Sequence, residues 1–254
     1  MERKHFAKMR TRRALAAGWI LVIAAAMLGG CAKQARHPAE KVYLHRMVDG
    51  ESLADVAEDY YGDPERAQSI EEFNGIAGEP VKPGMVVRVP MTATDVERLM
   101  TREKAKIPYD KGLALAQKAS YVDAVQSFQE AIAIDPEFAD AVYNLGVTLG
   151  MLKSYERARE PLERAAEMRP KNADYVFAFG NCLFHLGDYA KAIGAFEKVM
   201  ALDPSNTKAL YSLAVSYEKQ GRKDDARSAW ERYLALDSTS AWAAEARKRL
   251  EALK

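Results

Sequence analysis

Hydrophobic and polar residues are distributed in three different ways along the chain, and this divides its 254 residues into three regions. An uninterrupted apolar run covers residues 14–30 and follows a strongly basic start. Between residues 42 and 90, short apolar segments alternate with glycine, proline and asparagine, which is typical of a small domain of strands and short helices. From residue 105 onward, apolar residues recur three and four positions apart, which predicts amphipathic helices.

The first 30 residues have the order of a secretory signal, with six basic residues, a 17-residue apolar run and small residues before Cys31. The ending Leu28-Gly29-Gly30-Cys31 resembles the lipobox of bacterial lipoproteins. That resemblance implies cleavage of residues 1–30, acylation of Cys31 and a location in the bacterial cell envelope, facing the periplasm. By the same resemblance, to lipoproteins of enteric bacteria, Ala32 after the cysteine implies the outer membrane. Residues 31–41 are predicted to be a flexible tether, and an uncleaved membrane-spanning anchor is the alternative to cleavage.

A small α+β domain is predicted over residues 42–90. Its elements follow the order strand, helix, helix, strand, with Ser52 capping the first helix and Asn74-Gly75 ending the second. Helical spacing in the second helix places Ile70 and Phe73 toward the core.

The motif His45-x-Met47-x-x-Gly50-Glu51-Ser52-Leu53, together with Asn74-Gly75 and Pro83-Gly84, resembles the LysM domain, a peptidoglycan- and chitin-binding module. The resemblance implies a βααβ fold with a shallow groove between two loops that holds N-acetylglucosamine-containing glycans. The residues that it places on those loops are Gly50, Glu51, Ser52, Leu53, Asn74, Gly75 and Ile76. A structural role is the alternative for each of them, because turns, helix caps and cores use the same residue types.

A period of 34 residues runs from residue 105 to residue 240. Small, bulky and proline positions each recur at this spacing, as in Gly112, Gly146 and Gly180, in Phe128, Leu162, Phe196 and Trp230, and in Pro136, Pro170 and Pro204. The pattern resembles the tetratricopeptide repeat, which implies an all-α solenoid of four helical hairpins. Residues 241–254 are predicted to form a C-terminal cap helix that is polar on its outer face. Residues 91–104 are predicted to be a helical connector, capped by Thr94 and Glu97 and broken near Pro108.

The same resemblance places a partner groove on the first helix of each hairpin. The residues at its positions are Tyr109, Tyr143, Asn144, Val147, Phe177, Asn181, Tyr211 and Val215. An aromatic and aliphatic lining favours an apolar or amphipathic peptide, although packing between repeats is the alternative explanation for the aromatic residues. Asp140 and Asp174 occupy groove positions where a carboxylate ligand would require cations, so carboxylate binding is not expected.

Charge and motifs exclude several function classes. The chain has 37 basic and 36 acidic residues and a net charge of +1, so no basic domain for nucleic acid is expected. Two cysteines exclude a disulfide scaffold and a four-thiolate metal site, and Cys182 is expected to be a core thiol. The chain has no motif typical of a catalytic, metal or cofactor site, so no enzyme activity and no cofactor are predicted.

These features together predict a non-catalytic adaptor of the cell envelope. It is anchored by lipid, binds peptidoglycan through the LysM-like domain and binds an unidentified protein or peptide through the groove. Two alternatives stay open. One is a chaperone or assembly factor for an outer-membrane, pilus or secretion complex, and the other is a regulator of a cell-wall hydrolase.

Overall fold

The computed structural model describes residues 41–253, which divide into two units at Ile107 and Pro108. The predicted signal sequence, the lipid site at Cys31 and nearly all of the tether lie outside the described residues. Within residues 41–253, none of the helices combines the length and the apolar character that crossing a membrane requires.

The first unit contains two strands and two short helices in the predicted order. The elements are β1 (Lys41–Arg46), α1 (Leu53–Tyr61), a 3-10 turn (Pro64–Arg66), α2 (Ala67–Asn74) and β2 (Val86–Met91). The strands pair antiparallel, with Lys41 opposite Met91 and Arg46 opposite Val86. One face of this two-stranded sheet packs against the helices, which gives a small two-layer α+β unit.

The core of the first unit is formed by apolar residues at strand and helix spacing. Val56, Ile70, Val87 and Val89 are completely buried. Phe73 was predicted to join them, and that prediction was wrong because its ring is 37% exposed. It lies at the edge of the unit, where the Arg88 guanidinium is 5.3 Å from the ring centre.

From Ala93 onward the chain is entirely helical, and the boundary between the two units falls within the first of these helices. Helix α3 spans Ala93–Gln117, and it is followed by α4 (Tyr121–Ile134), α5 (Ala139–Met151), α6 (Tyr155–Met168), α7 (Ala173–His185), α8 (Tyr189–Leu202), α9 (Thr207–Lys219), α10 (Lys223–Leu236) and α11 (Ala241–Ala252). Consecutive helices pack as hairpins, and α11 packs on α10. The result is a solenoid in which each hairpin contacts its neighbours in the chain.

Glycines allow the two helices of a hairpin to cross closely. A Cβ atom built on Gly146 would lie 2.5 Å from Cγ of Leu162, and one on Gly180 would lie 2.9 Å from the Phe196 ring. A Cβ atom built on Gly112 would likewise lie 2.7 Å from the Phe128 ring. The repeating small and bulky positions of the sequence are therefore partners at the helix crossings.

Helix α3 differs from the prediction at two points. It continues through Pro108 without the expected break, since a proline removes only its own backbone hydrogen bond and the turns on both sides keep theirs. The predicted cap at Thr94 and Glu97 is also wrong. The helix starts earlier, where the Asp95 amide donates to Thr92 Oγ1 at 3.1 Å and the Thr92 amide donates to Asp95 Oδ2 at 3.0 Å.

Candidate functional site

Two regions contain the predicted binding residues, one in each unit. In the first unit they lie on the loop that follows β1 and on the loop between α2 and β2, which we call the glycan loops (residues 47–52 and 75–85). The Met47 amide donates to the Met85 carbonyl, and the Gly84 amide donates to the Met47 carbonyl, both at 2.8 Å. These bonds hold the two loops beside each other.

The first glycan loop is organised around the Glu51 carboxylate. Its Oε2 atom accepts the Val48 amide at 2.9 Å and is also 2.9 Å from Nε2 of the buried His45. Gly50 has a φ of +74°, in the left-handed region that glycine adopts at little cost. The Glu51 side chain is therefore directed into the loop and stabilises its turn.

Ser52 and Leu53 connect this loop to α1. Ser52 Oγ accepts the Asp55 amide at 3.2 Å, while Asp55 Oδ2 accepts the Ser52 amide at 2.9 Å, so the two residues form the predicted helix cap as a capping box. Leu53 is buried in the core of the unit. Both side chains have structural contacts that the fold requires.

The second glycan loop follows Asn74, the last residue of α2, whose side-chain amide joins α2 to β2. Its Nδ2 donates to the carbonyls of Ile70 and Arg88, both at 2.7 Å, and its Oδ1 accepts the Arg88 amide at 2.8 Å. Gly75 then ends α2 with a φ of +67°, and Ile76 is buried. The Asn74 side chain thus has three hydrogen bonds within the fold.

The seven residues predicted for glycan binding therefore lie on two adjacent loops, and the side chains of the five that are not glycine contact the fold. The exposed surface of these loops is formed by the backbone around Gly50 and Gly75 and by exposed residues such as Asp49 and Ala77. The role of the seven residues in glycan binding stays a prediction.

In the second unit, the predicted groove residues of the first two hairpins are packed between helices. Asn144 is buried, and its Nδ2 donates to the Tyr109 hydroxyl at 3.0 Å. The Tyr143 ring stacks on Tyr175 with 4.3 Å between ring centres, and burial raises the pKa of Tyr143 well above its ordinary value. Val147 is buried as well. The contacts of Tyr109, Asn144 and Tyr143 therefore join neighbouring hairpins.

An acidic residue at a groove position also has a structural partner. The Tyr175 hydroxyl donates to Asp140 Oδ1, which ties α7 to α5. Burial of the ring, followed by the charge of Asp140 and this hydrogen bond, raises the pKa of Tyr175. Asp140 is therefore part of the contact between the second and third hairpins.

The groove residues of the third and fourth hairpins are more open, and three of them meet in one pocket between α7 and α9. This pocket, which we call the α7–α9 pocket, has a volume of about 120 Å³ and is lined by Asn181, Phe184, His185, Tyr211, Ser212 and Val215. Phe177, the remaining predicted residue, is half-buried and packs against Phe196 with 5.6 Å between ring centres.

The lining of the α7–α9 pocket carries no charge at neutral pH. Its single titratable group in the physiological range is His185, whose ring stacks on Tyr155 at 4.3 Å between centres. Burial lowers the pKa of His185 from its ordinary value, so the imidazole is neutral at pH 7. The pocket therefore combines apolar side chains with neutral hydrogen-bonding groups from Asn181, Ser212 and His185.

Aromatic residues of the C-terminal helices support one wall of the pocket. The Tyr211 ring meets Trp230 at 4.9 Å, Tyr233 at 5.5 Å and Trp242 at 5.0 Å between ring centres, each edge to face. Trp242 lies on α11 and is 43% exposed although its ring packs on Tyr211.

The described residues show no arrangement for metal or thiol chemistry. Within residues 41–253, histidine, cysteine and acidic side chains form no group of three or more that could hold a metal ion. Cys182 is buried, its thiol donates to the Tyr155 carbonyl at 3.3 Å, and burial raises its pKa to about 11. A thiol in this state is protonated and inert, as expected for a core residue.

Comparison with protein-family models identifies the repeated unit. A model described as TPR repeat matches residues 112–153, and a model described as anaphase-promoting complex, cyclosome, subunit 3 matches residues 151–233. The helical hairpins are tetratricopeptide repeats. No curated protein matches the chain at a significant level.

Solved structures of MamA share the fold of these tetratricopeptide repeats. MamA from Desulfovibrio magneticus RS-1, residues 41 to the end, is 20% identical, with a TM-score of 0.53 over 59% of this chain and 94% of that one. A second MamA crystal structure is 20% identical and covers 73% and 92% of the two chains, with a TM-score of 0.51. MamA AMB-1 is 25% identical over 54% and 80%, with the same TM-score.

Three lining residues of the pocket, Phe184, His185 and Ser212, were not among the site residues predicted from the sequence. They occupy the twelfth, thirteenth and sixth repeat positions, where the tetratricopeptide-repeat resemblance places groove residues. The position alone was a weak signal, because Asn144 also occupies a sixth position and is buried.

Proposed function

We propose that this protein is a non-catalytic adaptor of the bacterial cell envelope. It is anchored in the outer membrane through a lipid on Cys31 and faces the periplasm. It binds N-acetylglucosamine-containing peptidoglycan through a LysM domain formed by residues 42–90. Its tetratricopeptide repeats bind a protein partner. The observation that carries the proposal is the open, uncharged α7–α9 pocket, which lies on the first helices of the third and fourth hairpins.

The pocket's size and lining support one kind of partner. A cavity of about 150 Å³ with apolar walls holds benzene, so the somewhat smaller α7–α9 pocket, at about 120 Å³, suits one aliphatic side chain. Asn181 and Ser212 supply neutral groups that can bond the backbone next to that side chain. An amphipathic peptide segment with one bulky apolar residue fits this combination.

The glycan part of the proposal rests on the LysM-like motif and on the loops that carry it. The element order of the first unit is compatible with the βααβ order of that family. The two glycan loops are hydrogen-bonded side by side and expose backbone groups, which are suitable partners for the amide of an acetamido group.

Co-sedimentation with insoluble peptidoglycan tests the glycan part. Variants of Asn74 or Leu53 would confuse binding with folding, because both residues support the fold. Ala77→Trp instead adds a bulky group to an exposed turn of the second glycan loop, and we expect binding of the full chain to weaken at least about tenfold. Ser69→Trp, at an exposed position of α2, is the matched control and should bind as the wild type does. Equal binding by all three chains would exclude the glycan loops as the site.

Site-specific crosslinking in cells tests the protein part. A photoreactive amino acid replaces Val215 in the pocket, and a second variant carries it at Val122, which is 70% exposed on α4. We expect the Val215 variant to form an adduct with a defined protein that the Val122 variant does not form, and Phe184→Ala to reduce this adduct. Identical adduct patterns from the two positions would contradict the proposal.

A further inference from the structure

The sheet of the first unit has one face that the helices do not cover. Side chains alternate along a strand, so one set points to the core, where Val87 and Val89 are buried. The other set forms what we call the outer sheet face, which consists of Val42, Leu44, Arg46, Val86, Arg88 and Pro90. Leu44 is 45% exposed and Val86 is 46% exposed. Large apolar side chains thus remain in contact with solvent on an ordered surface.

Two arginines complete this face and none of its six residues is acidic. Arg88 lies opposite Leu44 in the strand register, and Arg46 lies opposite Val86. Within residues 41–253 neither guanidinium has a carboxylate partner. Arg46 donates to the Gly84 carbonyl at 3.3 Å, and Arg88 donates to the Phe73 carbonyl at 3.2 Å. Apolar groups flanked by arginines without acids match an interface between hydrocarbon and anionic headgroups, where arginine stems lie along the apolar surface.

The position of the sheet in the chain brings this face near the proposed lipid anchor. Strand β1 begins at Lys41, ten residues after Cys31. Ten residues span at most about 35 Å when fully extended, so an anchored Cys31 would confine the sheet to the region next to the bilayer. A basic surface gains attraction to anionic lipid within about one Debye length, a distance that such a tether permits.

We propose that the outer sheet face docks on an anionic phospholipid surface. This inference rests on the proposed anchoring of the chain, and it assigns to the first unit a second surface, distinct from the glycan loops. A second copy of the chain fits the face less well. A symmetric contact would bring four guanidinium groups together with no acid from either face.

Fluorescence quenching in vesicles tests the proposal with the full chain. The chain is reconstituted into phosphatidylcholine vesicles with or without phosphatidylglycerol. In both kinds of vesicle the acyl chains of the phosphatidylcholine carry bromine as a quencher. Leu44→Trp places a fluorophore on the face, and its signal is taken as the excess over the wild-type tryptophans. We expect strong quenching of this excess with phosphatidylglycerol, and about threefold less quenching without it or after the additional change Arg46→Gln.

Two controls separate docking from other effects. Ser69→Trp reports an exposed position on α2 outside the face and should be quenched weakly in both vesicles. Lys104→Gln removes an exposed cation outside the face and should leave the Leu44→Trp signal unchanged. Equal quenching of the Leu44→Trp and Ser69→Trp probes, or quenching that phosphatidylglycerol and Arg46→Gln do not alter, would overturn the inference.

Acylation of Cys31 is measured separately, by mass spectrometry of the same preparation. A chain that is not acylated and keeps residues 14–30 would be held at the vesicle by that apolar run, the alternative anchor, so the quenching experiment also tests docking of the face without the lipid. Absence of the lipid would contradict the proposed anchor, whereas absence of phosphatidylglycerol-dependent quenching would contradict the docking of the face.

Discussion

The glycan loops and the repeat groove use their predicted residues differently. On the loops, Glu51, Ser52 and Asn74 bond the backbone of the first unit, and Leu53 and Ile76 fill its core. In the groove, the second hairpin buries its predicted residues, whereas Asn181, Tyr211 and Val215 of the third and fourth hairpins line an open pocket. A domain of about 50 residues has few side chains to stabilise it, so motif residues must support the fold. A solenoid is stabilised by contacts between repeats and can leave part of one face available.

The largest expected effect comes from the aromatic positions of the groove. Tyr143→Ala removes a buried ring that stacks on Tyr175, and we expect it to lower the free energy of unfolding of the second unit by about 3–4 kcal/mol. Val215→Ala, in the open pocket, should cost about 1 kcal/mol. Urea denaturation followed by the fluorescence of the tryptophans in this unit measures both. Similar costs for the two variants would remove the distinction between packed and open groove positions.

Two asparagines compare the loops with the groove directly. Asn74→Ala leaves the Arg88 amide and two carbonyls without their partner, so we expect a loss of about 2–3 kcal/mol in the first unit. Asn181→Ala changes an exposed side chain and should stay within about 0.5 kcal/mol. Hydrogen exchange of the buried strand and helix amides of each unit reports the two effects separately. If Asn74→Ala left the stability of the first unit unchanged, the Asn74 side chain would be available to bind glycan.

Acid should destabilise the first unit through Asp95. Burial of this carboxyl raises its pKa, but hydrogen bonds from Arg66 and Thr92 outweigh burial, and the net pKa is lowered. A lowered pKa contributes stability that is complete above the ordinary aspartate value of about 4 and is lost as the pH falls below it. We expect a loss of about 1 kcal/mol as the pH falls from about 5 to about 3. Asp95→Asn should remove this component, and an unchanged pH dependence in that variant would contradict the assignment.

The smallest effect concerns two serines. Ser52→Ala removes the N-cap of α1 and should cost about 1 kcal/mol in the first unit. Ser212→Ala, in the lining of the pocket, should leave stability within about 0.5 kcal/mol and instead weaken the adduct formed at Val215. Hydrogen exchange and crosslinking measure the two responses. A destabilised Ser212→Ala variant with an unchanged adduct would reverse the comparison.

Regular features of the fold could be predicted because each depends on local chemistry or on a repeated contact. The Ser52 cap needs only the residues of one helical turn, and the small and bulky positions report the crossing of two helices at every repeat. Helix α3 was harder, since the effect of Pro108 depends on the turns around it. Phe73 was misplaced because helical spacing does not indicate where a short helix reaches the edge of its domain.

The candidate site could be predicted only in part. Val147 and Val215 occupy the same repeat position, yet the first is buried and the second lines the pocket. The stacked rings of Tyr143 and Tyr175 occupy the space between the second and third hairpins, whereas the contact between the third and fourth hairpins leaves a pocket. This outcome depends on how side chains of neighbouring repeats fill the space between them, which the repeat positions do not specify.

One measurement tests the central claim, that a single chain connects peptidoglycan to a protein partner. The Val215 crosslink is formed in cells, and the adduct is then collected with insoluble peptidoglycan under conditions that preserve the fold. We predict that the adduct sediments with peptidoglycan, that Ala77→Trp releases it to the soluble fraction, and that Ser69→Trp does not. An adduct that stays soluble in the wild-type chain, or that sediments equally with Ala77→Trp, would contradict the adaptor function.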